Sequence, residues 1–266
     1  MKRIHIVGCG PRSGTTLMTE MMIACFDIDL YTTHEDSLYT PPTKDAKIFL
    51  TKNPKDTLIV EPALKILSNL TVIYLVRDPR DMIISKHSKD PDRYWGGLKF
   101  WKTYTPYGRR LKEHPRFLTV KYEDLVNDPD SVQEKLQQSM QFLNKKASFS
   151  LYHEVAKPSV AAMEALRGVR PVSKASVGGW RKHLPRIVGQ IQLHGSITDD
   201  LIEFGYEKNS RWESELEGVE TNLNKSHHSE YFLQEEIKRL KQGRYIRPLK
   251  MMIKNNKFFR HFFKGA

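Results

Sequence analysis

Residues 2–16, KRIHIVGCGPRSGTT, decide the fold. The apolar residues at positions 4–7 predict a short buried strand, which glycine and proline interrupt at positions 8–11. Apolar residues then return at helical spacing from Leu17 onward. A strand, a glycine-rich turn and a helix in this order aim backbone N–H groups at a negatively charged group. Hydroxyls and a guanidinium in the turn add donors, so the stretch predicts an anion-binding loop.

The composition favours an anionic partner and a reducing environment. The chain has 266 residues, 39% of them hydrophobic, and a formal net charge of +12. A basic surface attracts anions, although it also serves solubility alone. Cys9 and Cys25 are the two cysteines, too few for a disulfide framework. No segment approaches the roughly 20 apolar residues of a membrane span. We therefore expect a cytoplasmic protein.

Strand and helix patterns alternate along the first two thirds of the chain. This alternation predicts an α/β fold with a doubly wound parallel sheet flanked by helices, of the P-loop-containing nucleotide hydrolase-like kind. Ligands of such sheets bind at the carboxyl ends of the strands, where charged or glycine-rich clusters follow three predicted strands. The predicted strands are residues 4–7, 48–50, 71–76 and 117–122, and the clusters are residues 8–16, 77–81 and 122–124.

We expect one domain over residues 1–206. Residues 82–87 are predicted to continue a helix, and residues 191–206 to form one closing helix. Residues 207–266 are predicted to be a polar linker followed by a basic, aromatic, helical tail. The basic and aromatic residues at 244–263 would suit peripheral contact with an anionic membrane, or packing on the domain or on a partner protomer.

Four motifs resemble those of the sulfotransferases that use 3′-phosphoadenosine 5′-phosphosulfate (PAPS). GCGPRSGTTL at 8–17 looks like their 5′-phosphosulfate-binding loop, and RDPRDMIIS at 77–85 is similar to their 3′-phosphate-binding motif. VGGWRKHL at 177–184 resembles their Gly-Trp-basic segment, and YEDL at 122–125 matches a recurrent tetrapeptide near the adenine. The resemblance spans residues 2–206 and implies an enzyme that needs PAPS and no metal.

The resemblance also implies which residues contact the nucleotide. The loop would hold the 5′-phosphate, Arg77 and Ser85 would hold the 3′-phosphate, and Arg12 would reach the oxygen that gains charge as the sulfuryl group leaves. The full set of expected nucleotide contacts is Arg12, Ser13, Gly14, Thr15, Thr16, Arg77, Ser85, Tyr122, Lys174, Trp180 and Arg181.

The catalytic set implied by the resemblance is Arg12, His34, Glu35 and Lys52. An acceptor hydroxyl loses its proton as it attacks, so a histidine or carboxylate should lie within hydrogen-bond reach. His34 and Glu35 are the two candidates for this base, and Lys52 would lie close to the sulfuryl group. No histidine follows the second predicted strand, which departs from the small-molecule cytosolic pattern. The chain is therefore closer to the carbohydrate and bacterial branches.

The expected acceptor is a hydroxyl-bearing carbohydrate or glycolipid, and we expect no nucleic-acid partner. Two other functions stay open, a P-loop kinase-like phosphotransferase and a non-catalytic module that binds nucleotides or polyanions. Thr15 follows Gly14 where a Walker loop has lysine, which disfavours the phosphotransferase. A 3′-phosphate site at Arg77 and Ser85 disfavours both alternatives.

Overall fold

The computed structural model describes residues 1–86, 92–224, 226 and 238. Most of the region expected to form the tail, including 244–263, lies outside the described residues. The described strands form one parallel sheet in the order β2-β3-β1-β4-β5, with β1 in the middle. The strands are β1 Lys2–Gly8, β2 Leu30–Tyr31, β3 Ile48–Lys52, β4 Leu70–Val76 and β5 Phe117–Lys121.

Register brings the predicted clusters to one edge of the sheet. Ile6 of β1 pairs with Lys52 at the end of β3, and Gly8 pairs with Leu75 near the end of β4. The strand order reverses at β1, because the chain runs to one side through β2 and β3 and then crosses to β4 and β5. A crevice outside the strand ends at such a reversal is the usual ligand site of an open α/β sheet.

Helices cover both faces of the sheet. Met18, Met22 and Phe26 belong to a buried cluster on one face, while Trp101 and Ile187 belong to a cluster on the other. The predicted doubly wound parallel sheet is therefore confirmed. The helices are α1 Thr15–Cys25, α2 Val60–Ile66, α3 Pro79–Ile83, α4 Leu98–Arg110, α5 Tyr122–Asn127, α6 Pro129–Ser139, α7 Tyr152–Val155, α8 Val160–Leu166, α9 Leu184–His194 and α10 Thr198–Glu203.

Two predicted helices differ from the observed ones. The helix predicted at 82–87 begins earlier, at Pro79, because the Asp78 carboxylate caps α3 by accepting from the Arg80 N–H, and it ends at Ile83. Residue 87 lies outside the described residues. The single helix predicted at 191–206 is wrong, since α9 ends at His194 and α10 starts at Thr198. Gly195 between them has a φ of 82°, a left-handed conformation that a continuous helix cannot contain.

The segment after Tyr206 differs from the expected linker. A 3₁₀ helix covers Ser210–Leu216, and its Trp212 is buried in the core against Trp180. The Asn222 N–H donates to the Pro185 carbonyl at 2.9 Å, which ties this segment to the start of α9. Residues 207–224 therefore pack on the domain rather than leaving it.

Candidate active site

The turn between β1 and α1 has an unusual backbone. Gly10 and Gly14 have φ values of 138° and 98°, which glycine adopts without a steric penalty. Arg12 also has a positive φ, 68°, although a left-handed residue with a side chain costs about 1–2 kcal/mol. Strain of this kind is common where a loop is shaped for a ligand. Gly14 caps α1 without a side-chain hydrogen bond, so the first-turn amides stay available to an anion.

Ser13 braces this turn from inside. Its hydroxyl is buried and donates to the Gly10 carbonyl at 2.9 Å. A Cβ at Gly8 would lie 2.1 Å from the Ser13 Oγ, so only glycine fits below it. Thr57 donates to the Gly8 carbonyl at 2.8 Å from the opposite side. The structure therefore directs the Ser13 hydroxyl into the loop instead of toward a ligand, while Thr15 beside it is also buried.

Arg77 connects the turn to two distant segments. It follows β4 directly and donates to the Arg12 carbonyl at 3.0 Å and to the Ser176 carbonyl at 2.8 Å. Its guanidinium carbon lies 4.2 Å from the ring centroid of Tyr122, within cation–π range. The buried Nε of Arg77 has no hydrogen-bond partner in the part of the chain that the structure describes. Arg77 therefore retains a donor that a ligand could use.

Arg12 and Ser85 meet beside Arg77. The Nε of Arg12 donates to the Ser85 Oγ at 3.0 Å. Burial lowers the pKa of Arg12, and the nearby charges of Arg77 and Arg167 lower it further. Within residues 1–86 and 92–224, neither Arg12 nor Arg77 forms an ion pair with a carboxylate. A bound anion would relieve this cationic repulsion, which is the electrostatic signature of an anion site.

Tyr122 forms one wall of the same group. A Cβ at Gly14 would lie 2.4 Å from the Tyr122 Cδ2, so the ring packs directly on the start of α1. The Tyr122 hydroxyl and the Ser176 Oγ are 2.8 Å apart. Ser176 therefore contacts Tyr122 through its side chain and Arg77 through its carbonyl. These two contacts hold the segment after α8 against the turn.

Lys52 organises a second group, at the end of β3. Its Nζ lies 3.3 Å from the Thr16 Oγ1 and 3.5 Å from the Glu35 Oε1. The Lys52 side chain is 11% exposed, whereas that of Glu35 is 42% exposed. His34 is exposed, and its carbonyl accepts a hydrogen bond from Thr32 at 3.4 Å. Thr16 and Lys52 thus join the turn between β1 and α1, residues 8–14, to the segment that carries both candidate bases. We call residues 8–14 the anion turn, after the group that it is predicted to bind.

The Gly-Trp-basic segment is attached to the domain through Asp81. The Asp81 carboxylate accepts from the N–H groups of Gly178 at 2.8 Å and Trp180 at 3.0 Å. Trp180 is 1% exposed, and the Arg80 guanidinium lies 4.2 Å from its ring centroid. The Arg181 guanidinium forms an ion pair with the Glu215 carboxylate at 3.1 Å. The structure therefore places the Trp180 side chain in the core.

A family model described as "Sulfotransferase family" matches residues 24–142. This match includes Lys52, Arg77, Ser85 and Tyr122 but begins after the glycine-rich turn, so the geometry of the turn is a separate observation. The match covers 119 of the 266 residues, and over that part the chain resembles the sulfotransferase family. A comparison of the sequence with curated proteins found no match.

Solved sulfotransferase structures resemble this chain at low sequence identity. The sulfotransferase domain from the Synechococcus PCC 7002 olefin synthase is 17% identical, with a TM-score of 0.48, covering 68% of this chain and 87% of its own. The sulfotransferase domain from the curacin biosynthetic pathway is 15% identical, with a TM-score of 0.49, covering 68% and 91%. Retinol dehydratase in a complex with retinol and PAP is 15% identical, with a TM-score of 0.38, covering 85% and 84%.

In the structure the predicted site residues form two adjoining groups and several outliers. Arg12, Arg77, Ser85 and Tyr122 meet around the turn, and Thr16, Lys52 and Glu35 meet beside it. Trp180 and Arg181 lie beyond Asp81, and the side chains of His34 and Lys174 are exposed. Within the described residues there is no cluster of potential metal ligands and no helix that is long and apolar enough to cross a membrane.

Two residues in or near these groups were not predicted from the sequence. Ser176 lies in a segment without periodicity, and no sequence signal pointed to its contacts with Arg77 and Tyr122. Glu20 offered a signal that was overlooked, a charged residue between Met18 and Met21 on the first helix. It is buried, and burial raises its pKa while the charge of Lys52 lowers it.

Proposed function

We propose that this protein is a sulfotransferase, which moves the sulfuryl group of PAPS to the hydroxyl of a carbohydrate or glycolipid. The observation that supports PAPS as the donor is a pair of guanidiniums, the partly buried Arg12 and the buried Arg77, which converge at one turn without an ion pair to a carboxylate among the described residues. PAPS would bring phosphates at both ends of its ribose, and the turn and Arg77 offer cationic groups to both.

The nucleotide would be held in the turn by backbone donors. The first-turn amides of α1 and the Thr16 hydroxyl would bind the 5′-phosphate, since this end of the helix favours negative charge. Arg77 has an unpartnered Nε, and Ser85 has a hydroxyl beside Arg12, so these two would bind the 3′-phosphate. Tyr122 would offer its ring face to the adenine.

Two cations would stabilise the charge that develops during transfer. Arg12 lies in the turn four residues before Thr16, and the Lys52 Nζ lies 3.3 Å from the Thr16 Oγ1, where the 5′ end is proposed to bind. Sulfuryl transfer resembles phosphoryl transfer, in which positioning and charge stabilisation dominate. Each cation would therefore contribute most when the bond to the leaving nucleotide is partly broken.

The acceptor would approach from the side of residues 32–36. Glu35 lies next to Lys52 and His34 lies one residue away, so either could receive the acceptor proton within this segment. A carbohydrate or glycolipid acceptor is proposed because the end of β3 and the two residues after it, Thr51 to Pro54, lack the histidine of the small-molecule branch.

A thermal-shift comparison tests the donor. We expect 3′,5′-diphosphoadenosine (PAP) to raise the melting temperature without magnesium, by an amount that grows with the logarithm of its concentration above the dissociation constant. Arg77→Met should abolish this rise, whereas Arg110→Met, an exposed arginine of α4, should keep it. A rise with Mg-ATP but none with PAP would instead support a kinase-like phosphotransferase.

Transfer of labelled sulfate from PAPS tests the acceptor. A panel of oligosaccharides, glycolipids, phenols and tyrosine peptides would be compared under the same conditions. We expect product on a carbohydrate or glycolipid and its loss in Arg12→Ala. Product on phenols or peptides alone would overturn the acceptor class while leaving the donor proposal intact.

A further inference from the structure

We propose that Asp56 is a positioning residue that fixes residues 32–40, the segment with both candidate bases, beside the anion turn. Asp56 belongs to neither the expected nucleotide contacts nor the expected catalytic set. Its consequence for sulfuryl transfer rests on the proposed function above, whereas the contacts that hold the segment do not.

The segment has little regular structure of its own. Residues 32–40 follow the two-residue strand β2 and contain no helix or strand. The N–H groups of Thr32 and Asp36 donate to carbonyls of β3, at 3.2 Å to Leu50 and 2.9 Å to Lys52. These bonds continue the sheet only as far as Asp36, so the second half of the segment needs another anchor.

The Asp56 carboxylate supplies an anchor there. Its Oδ2 accepts from the Leu38 N–H at 2.6 Å, and Leu38 and Asp56 are 0% and 5% exposed. A hydrogen bond to a carboxylate is stronger than one between neutral groups, and a buried N–H without an acceptor is costly. The position of Leu38, three residues after Glu35, therefore depends on where the Asp56 carboxylate points.

Two buried side chains of the sheet fix the direction of that carboxylate. His5 and Thr51 are register partners on β1 and β3, so their side chains share one face of the sheet. The His5 Nδ1 lies 2.7 Å from the Thr51 Oγ1, and the His5 Nε2 lies 3.3 Å from the Asp56 Oδ2. The second contact is a close approach rather than a well-aligned hydrogen bond. Asp56 is thus held from the centre of the sheet.

The same short helix is also tied to the anion turn. Asp56 lies in a 3₁₀ helix, Pro54–Leu58, which begins two residues after Lys52. The neighbouring Thr57 donates to the Gly8 carbonyl at 2.8 Å. One short helix therefore contacts the donor side through Thr57 and the acceptor side through Asp56, which sets the two sides at a defined distance.

Other side chains reach the segment as well, but at different places. They include Lys52 at Glu35, Ser159 at the Thr33 carbonyl and Arg3 at the Thr40 carbonyl. The first two contacts are exposed, so water competes for them, and the third lies at the far end of the segment. The bond from Asp56 is buried, so the local stability around residue 38 should depend on it.

Hydrogen exchange of the Leu38 amide, followed by NMR on the intact protein, tests the anchor without a substrate. We expect Asp56→Ala to speed this exchange about tenfold, the size expected for losing one hydrogen bond to a charged group. Asp56→Ser serves if Asp56→Ala does not fold, since the serine hydroxyl is one bond shorter than the carboxylate. Unchanged exchange at Leu38 in these variants would overturn the proposal.

Asp130→Ala is the matched control for this experiment. Asp130 also accepts from a backbone N–H, that of Ser150 at 3.0 Å, but it joins α6 to the segment before α7. We expect Asp130→Ala to speed exchange at Ser150 and to leave Leu38 unchanged. Faster exchange at Leu38 in this control as well would mean that general destabilisation is the cause, which would also overturn the proposal.

Steady-state kinetics tests the consequence for transfer, with an acceptor that the panel above identifies. We expect Asp56→Ala to lower kcat/KM for the acceptor about tenfold and to change the PAP dissociation constant less than about twofold. Asp56→Asn should restore much of the loss, because its amide oxygen can still accept from the Leu38 N–H. Asp130→Ala should leave both quantities unchanged.

The outcomes separate the two proposals. If Asp56→Ala weakens PAP binding as much as it lowers kcat/KM, or changes neither, the positioning role is wrong. If the wild type transfers sulfate to no acceptor, the proposed function fails, and the exchange measurement still decides whether Asp56 holds the segment.

Discussion

At the scale of single residues, Gly14 bears two constraints at once. Its φ of 98° is in the left-handed region, and the Tyr122 ring occupies the space that a Cβ would need. The geometry of the anion turn and the position of the proposed adenine platform therefore both depend on the absence of a side chain here.

We expect Gly14→Ala to lose PAP binding. The new Cβ would lie 2.4 Å from the Tyr122 Cδ2, so the ring or the start of α1 has to move. Calorimetric titration with PAP and the melting temperature would measure this. Gly168→Ala is the control, since Gly168 has a similar φ of 94° but open space around the added Cβ. Gly168→Ala should lower the free energy of unfolding by only the roughly 1–2 kcal/mol that a left-handed residue with a side chain costs, and it should keep its PAP affinity. Equal PAP affinities in both variants would contradict the steric explanation.

At the scale of secondary-structure elements, Arg80 joins α3 to two later segments, residues 177–184 and residues 207–216. It pairs with Asp78 at 2.7 Å and with Glu207 at 2.6 Å, and its guanidinium lies 4.2 and 4.9 Å from the rings of Trp180 and Trp212. The same buried side chain thus anchors the Gly-Trp segment and the 3₁₀ helix after Tyr206.

We expect Arg80→Met to destabilise the fold by roughly 3–5 kcal/mol, because the buried Asp78 and the partly buried Glu207 lose their shared cation. Urea unfolding measures the change. Arg181→Met provides the matched control, as Arg181 also stacks on Trp180 but is 54% exposed and pairs with Glu215. Its removal should cost less than about 1 kcal/mol. Similar losses in both variants would show that burial does not set the strength of the Arg80 contacts.

At the scale of the whole molecule, Glu123 connects parts of the chain that are far apart in sequence. Its carboxylate accepts from the Asp78 N–H at 3.0 Å, after β4, and from the Tyr206 hydroxyl at 3.2 Å, after α10. Burial raises the pKa of Glu123. The folded protein therefore retains this proton at a pH where the unfolded chain has lost it.

The resulting pH effect has the opposite sign to that of a carboxylate whose pKa is lowered in the folded protein, for example by an ion pair. The stabilisation from a raised pKa is complete below the unfolded value of about 4.3 and is lost as the pH rises through the folded value. We expect the stability of the wild type relative to Glu123→Gln to fall as the pH rises from about 4 toward neutrality. Urea unfolding of both proteins across this range measures the difference. A constant difference would mean that the raised pKa is absent.

The fold was largely predictable because its signals are local. The buried strand, the glycines and the apolar spacing of residues 2–16 specify β1, the turn and α1 from neighbours in sequence. The β-branched run of residues 71–76 likewise specified β4, which lies inside the sheet. The continuous helix predicted through Gly195 failed because one left-handed glycine outweighs the apolar periodicity around it.

The candidate site was predictable only in part, because its contacts join residues distant in sequence. Trp180 illustrates this, since the sequence cannot distinguish an aromatic residue that faces a ligand from one that stacks on Arg80 in the core. Ser176 reaches Arg77 across 99 positions and became part of the site through packing alone.

The sequence by itself therefore determined the anion turn, the parallel sheet and the order of the motifs, since glycine conformation and apolar periodicity act over a few residues. Only the tertiary structure decided which side chains meet there. Register places Lys52 beside β1, and α1 then presents Thr16 to it. Partners of this kind depend on which strand ends adjoin, and that is set by the packing of the whole chain.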